Sequence, residues 1–152
     1  MTLEQICVSK EWAEKLKEAG FPQKDSYFYW STVNKPNIVL KDKYQHPISQ
    51  ALTINPHWLD EIIAAPTASE ILEKLPSFIV LDTNKTWLSC SKNIFNLFEV
   101  GYATNGGFIN GHMEEKSLVD ALARMYCYLV SEKLTPSGIE AVHSILVNLL
   151  TI

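Results

Sequence analysis

The sequence predicts an α+β domain: a mostly antiparallel sheet of about four strands, packed by helices on one or both faces as an α/β sandwich. Three observations point there. Helix-period segments with caps and stops alternate with β-rich runs in the order helix, strands, helix, strands, helix, helix. The β-rich runs lie at hairpin-like spacing, separated by short polar turns. The chain has 152 residues, 47% of them apolar and 20% charged, which suits one globular domain spanning 1–152.

Each element has its own signal. In VSKEWAEKLKEAGFP (8–22), Ser9 is placed to cap a helix, Trp12, Leu16 and Ala19 share a face, and Gly20 with Pro22 stops it. YFYWSTV reads as a strand, NKPN (34–37) as a turn and IVLK (38–41) as a partner strand. Residues 42–64 carry weak signals; Asn55 and Pro56 suit the start of a short helix. TASEILEKLP is a clearer helix. Thr67 and Glu70 have capping-box spacing, Ile71, Leu72 and Leu75 form the apolar side, and Pro76 ends it. SFIVLDTNKTWLSC reads as a hairpin turning at DTNK, and NIFNLFEVGYA (93–103) as a further strand. NGGFING (105–111) reads as a loop. SLVDALARMYCYLVSEKL (117–134) has the strongest helical pattern, with Ser117 as cap and Leu118, Leu122, Met125, Leu129 and Val130 along one face. A last helix follows over 136–150, capped by Thr135 with Pro136 in its first position.

The run Tyr27, Phe28, Tyr29, Trp30 raises the question of a stacking platform. Side chains of a strand alternate faces, so the four rings divide two and two. The plain reading is a core strand; the functional one is that a pair lines a ligand pocket, with tyrosine hydroxyls as polar handles. The glycine-rich GYATNGGFING (101–111) fails the P-loop pattern, because Gly107 stands where lysine is required. It reads as a turn, or as a lid bringing polar contacts to a pocket. The candidate ligand-binding residues are therefore Tyr29, Trp30, Tyr102, Asn105, Asn110 and His112.

Charge argues against nucleic acid as a partner. Seventeen acids against thirteen bases give −4, and Arg124 is the one arginine. No basic stripe supplies the electrostatic attraction on which nucleic-acid affinity rests. No apolar run approaches a membrane span, and no secretory signal is visible at the start. Cys7, Cys90 and Cys127 are odd in number and far apart, which fits a reduced cytoplasmic protein better than a disulfide framework.

Recognisable catalytic patterns are missing. There is no G-x-S-x-G elbow and no C-x-x-C pair. His46, His57, His112 and His143 are scattered without i,i+4 spacing, so neither a metal nor a cofactor is expected. Cys127 lies within the strongest helix, where an inert buried thiol is the usual reading. Adjacent acids such as Glu114 and Glu115 diverge on a strand and read as solvated surface. The terminal helix carries Ile139, Val142, Ile145, Leu146, Leu149 and Leu150 on one broad apolar face. That face packs on the domain or forms an interface, for which Ile139, Val142, Leu146, Leu149 and Leu150 are the candidates; a homodimer is one such arrangement.

Four segments carry a resemblance: WAEKLKEAGFPQ (12–23), YFYW (27–30), IAAPTASEILEKLP (63–76) and SLVDALARMYCYLVSEKL (117–134). In this order they resemble a group of small phage and prophage proteins. The resemblance spans residues 10–134 and rests on caps and apolar faces. It implies a compact α/β sandwich acting as an accessory protein in the cytoplasm of a bacterial host, with no catalytic residues to carry over, and it makes the 136–150 helix an addition to the common pattern. The expectation is a non-enzymatic binding or interaction module whose partner is a host protein or a small ligand. The alternatives are a protein that sequesters a nucleotide signal, or a hydrolase whose site is assembled from dispersed residues.

Overall fold

In the computed structural model of the protein, the described residues are 6–24, 26–31, 38–40, 62–81, 84–108 and 112–134. They form helices α1 (Lys10–Glu18), α2 (Ala68–Leu72) and α3 (Leu118–Ser131). The strands are β1 (Phe28–Ser31), β2 (Ile38–Leu40), β3 (Ile62–Ala64), β4 (Phe78–Leu81), β5 (Asn84–Lys92), β6 (Phe98–Thr104), β7 (Gly107–Phe108) and β8 (Met113–Glu115). All pairings between these strands are antiparallel, and the fold is α+β.

The strands make two sheets rather than one. β2-β1-β3 is the smaller, and β4-β5-β6-β7 the larger, with β8 also pairing β6. The additional strands are short. β3 has three residues, β7 two and β8 three, too few to show alternation in a sequence. The proposed helix at Asn55–Pro56, the NKPN turn, Asp82 and Thr83 of the hairpin turn, Asn110 and the 136–150 helix lie outside the described residues.

α3 is the centre of the packing. It touches α1, α2, β6 and β8, and so covers one face of the larger sheet. Val119, Leu122, Met125 and Leu129 are buried on it, together with the small Ala121 and Ala123 that let neighbouring elements approach. Val130, expected on the core face, is only partly buried. Ile79, Val100, Tyr102 and Met113 reach the same core from the strands. α2 buries Ile71 but exposes Leu72, and Leu75, just beyond its end, is buried.

The helix ends are tied off in different ways. The capping box of α2 is formed: Thr67 Oγ1 accepts from the Glu70 amide at 3.4 Å, and Glu70 Oε2 accepts from the Thr67 amide at 2.8 Å. Ser9 and Ser117 occupy N-cap positions without capping their own helices through their side chains. The Ser9 amide instead donates to Asp120 Oδ1 at 2.8 Å, tying the start of α1 to the first turn of α3. α1 ends in a Schellman motif: the Phe21 amide donates to the Leu16 carbonyl at 2.8 Å, the Gly20 amide donates to the Lys17 carbonyl at 3.0 Å, and Gly20 has φ +81°. α3 ends the same way, but Lys133 occupies the left-handed position with φ 57°.

The segment 93–97, expected as part of a strand, is instead a tight turn between β5 and β6. Asn93 Oδ1 accepts from the amides of Phe95 and Leu97, each at 3.0 Å, and Asn96 is left-handed with φ 65°. Asn105 and Gly106 turn the chain between β6 and β7, and Gly107 takes φ +114°.

Candidate functional site

The larger sheet has an inner face on α3 and an outer face without a helix among the described residues. Pleating separates the two. On β4 and β5, Ile79 and Thr86 pair across the strands and point inward. Their neighbours Phe78 and Trp87 pair on the outside, as do Val80 and Lys85. Beyond Trp87 the outer face continues through the cross-strand partners Trp87–Ala103, Ser89–Gly101 and Ser91–Glu99, and then Glu99–Glu114.

One end of this face is apolar. Phe78, Val80 and Trp87 are 39%, 58% and 53% exposed. The rings of Phe78 and Trp87 are 5.4 Å apart at 55°. Lys85 Nζ lies over both, 3.8 Å from the Phe78 centroid and 4.3 Å from that of Trp87, at cation–π distance. Large apolar side chains set next to one another on two strands form a patch, which isolated surface residues do not.

The other end is polar and built around Asn93. Its Oδ1 is engaged by two backbone amides, which aims Nδ2 outward to donate to Glu99 Oε1 and to Glu114 Oε1, both at 3.1 Å. The Ser91 hydroxyl donates to Glu99 Oε2 at 3.1 Å. These donors, the Asn93 amide first, hold the Glu99 carboxyl below the ordinary glutamate range. His112 Nε2 stands 3.7 Å from Glu114 Oε1. One ligand atom from each of Glu99, His112 and Glu114 falls within 4.8 Å of the other two. Glu115 points away from this cluster, and its Oε1 accepts from Arg124 Nη1 of α3 at 3.1 Å.

Gly101 lies between the two ends and explains the lie of His112. The Phe108 and His112 rings stack 5.3 Å apart at 15°. A Cβ on Gly101 would stand 2.7 Å from Phe108 Cδ1, 3.0 Å from His112 Cβ and 3.1 Å from His112 Cα. Glycine is therefore required for these residues to close over β6.

The structure distributes the sequence-derived candidates widely. Tyr29 is buried beside Ala64 and Ile62 in a small cluster of its own. Trp30 belongs to the main core, and its Nε1 donates to the Val8 carbonyl at 2.9 Å. The Tyr102 hydroxyl donates to the Pro76 carbonyl at 2.6 Å from the inner face, where burial pushes its pKa up. Asn105 is exposed in the β6–β7 turn, and His112 is exposed on the outer face. Asn110 and the interface candidates Ile139, Val142, Leu146, Leu149 and Leu150 lie outside the described residues.

Sequence reasoning missed Trp87, Phe78, Asn93, Glu99 and Glu114. The available signal was alternation, since His112 and Glu114 are two apart and share a face in any strand. Glu99 is brought to them only by the β6–β8 register.

No helix among the described residues is long and apolar enough to cross a membrane. Comparison with protein-family models, with curated proteins and with solved structures finds no match to this chain.

Proposed function

We propose that this protein is a non-enzymatic binding module that docks a protein partner on the apolar end of the outer sheet face, as an accessory component in a bacterial cytoplasm. The observation that carries the reading is the exposed, in-register set Phe78, Val80 and Trp87, with the Lys85 ammonium lying over the two rings. Such a set has a large apolar area to desolvate and little polar obligation, the make-up of an interface core. The patch is pleated and open, which suits another protein's surface better than enclosure of a small ligand. Among the described residues Lys85 is the only charge on this part of the outer face, and the acids Glu99 and Glu114 stand at the other end. The complementary partner presents apolar side chains with a carboxylate placed to meet Lys85.

The test is quantitative capture from a bacterial host lysate by the whole chain, by Trp87→Ala and by Phe78→Ala, with sedimentation of each protein alone. A partner retained by the wild type and depleted by both variants supports the reading. Equal capture by all three contradicts it, as does a wild type that self-associates and is made monomeric by Trp87→Ala, which would make a second copy the occupant.

A further inference from the structure

We propose that Glu99, His112 and Glu114 form a binding site for one divalent transition-metal ion, with Asn93 as its positioning residue. The site is at the opposite end of the outer face from Trp87, and the inference does not depend on the docking reading.

Geometry makes the first argument. Two ligands each about 2.1 Å from a tetrahedral ion stand about 3.4 Å apart. His112 Nε2 and Glu114 Oε1 are already 3.7 Å apart, and a Glu99 oxygen completes a triad within 4.8 Å. The three side chains occupy neighbouring positions on one sheet face, Glu99 directly opposite Glu114 and His112 two residues before it. Small rotations about their own bonds bring all three donors to one ion.

Electrostatics makes the second. Carboxylates directly opposite on paired strands repel. Among the described residues no lysine or arginine side chain forms an ion pair with Glu99 or Glu114; Arg124 is engaged by Glu115. The Asn93 amide offsets this pairing only in part, and a divalent cation would relieve it further.

Preorganisation makes the third. Each ligand is held from behind by a group that is not a ligand. Asn93 donates to both carboxylates while its own carbonyl is fixed by two turn amides. Ser91 donates to Glu99, and Phe108 stacks on the His112 ring over Gly101. Supports of this kind orient metal ligands.

Donor chemistry selects the ion. One imidazole nitrogen and two carboxylate oxygens suit Zn²⁺, Mn²⁺ and their neighbours better than Mg²⁺ or Ca²⁺, which prefer oxygen alone. His112 and Glu114 are each nearly half exposed, so the remaining coordination positions face solvent.

The test titrates the metal-free full chain with Zn²⁺ by calorimetry and with Mn²⁺ by NMR. One Zn²⁺ per chain is expected, with Mn²⁺ broadening centred on residues 91–93, 99–101 and 112–114. His112→Ala, Glu99→Gln and Glu114→Gln each weaken binding by about tenfold or more, and Asn93→Ala by about tenfold. Trp87→Ala leaves it unchanged. Far-UV spectra establish that each variant is folded. The proposal is overturned if the wild type shows no saturable site, or if affinity survives in both His112→Ala and Glu114→Gln. It is equally overturned if Mn²⁺ broadens another region instead.

Discussion

Glu99 and Glu114 stand directly opposite each other on β6 and β8, two acids paired on one face of a sheet. Strands avoid that arrangement when stability alone is at stake. Here the turn at Asn93 holds both carboxylates with one amide group. Glu114→Gln keeps an oxygen for that amide and removes one charge. Without metal, the variant is expected to raise the unfolding midpoint by about 1–3 °C. Thermal unfolding in the presence of a chelator checks this. A lowered midpoint would mean that the carboxylate is there for structure.

The two Schellman motifs differ in their left-handed residue. At Gly20 a Cβ would meet nothing within 4 Å, so Gly20→Ala is penalised by backbone conformation alone. A loss of about 1 kcal/mol is expected. Lys133 already bears that penalty at φ 57°. Lys133→Gly is expected to gain about 0.5–1 kcal/mol. Urea unfolding of both variants measures the two changes, which should have opposite signs.

Gly101→Ala fails for a different reason. The new methyl group would meet the Phe108 ring and the His112 backbone, so the β7–β8 side of the sheet must shift. A cost of about 1–3 kcal/mol is expected. The His112 ring resonances should move with it, because the stack on Phe108 depends on that missing side chain.

Asp120 links pH to stability. Burial raises its pKa above the ordinary aspartate value, with the Ser9 hydrogen bond acting in the opposite direction. A raised folded-state pKa means that the native state binds the proton more tightly than the unfolded chain. Its contribution is most favourable below the unfolded value of about 3.9 and is lost as pH rises through the folded value. Asp120→Asn retains an oxygen for the Ser9 amide and removes the charge. It should be more stable than the wild type at pH 7, and the difference should close as pH falls toward about 4. Paired unfolding curves across that range measure the effect.

The thiols should separate by access. Cys90 is exposed, though burial of part of it raises its thiol too, whereas Cys7 is fully buried and burial raises its thiol to about 11, with Asp120 and Glu70 adding to the shift. Cys127 is half-buried and also raised to about 11, chiefly by burial. Maleimide labelling at pH 8 followed by peptide mass analysis should modify Cys90 first and Cys7 only on unfolding.

Local signals carried most of the fold. The Thr67–Glu70 box, the Gly20 stop and the apolar face of α3 are each written within a few neighbouring residues, and each is found. β3, β7 and β8 were not legible, because two or three residues cannot display a period. Asn93–Leu97 misled because Ile94 and Phe95 look like strand residues, yet they are 93% and 76% exposed at a turn fixed by the Asn93 side chain. The outer face was hidden for a different reason. Phe78 and Trp87, like Glu99 and Glu114, are distant in sequence and meet only through strand register. The four adjacent aromatics 27–30 stand out in the sequence, while the exposed pair on the outer face, Phe78 and Trp87, stands nine residues apart.

Partner docking on the β4–β5 face is tested most directly by the equilibrium affinity of a purified, captured partner for the wild type and for Trp87→Ala, with Glu114→Gln as control. A buried tryptophan anchor is worth about 2 kcal/mol or more, so a loss of about thirtyfold is expected for Trp87→Ala and little change for the control. Equal affinity for wild type and Trp87→Ala would contradict it, and would move the interface away from the β4–β5 face.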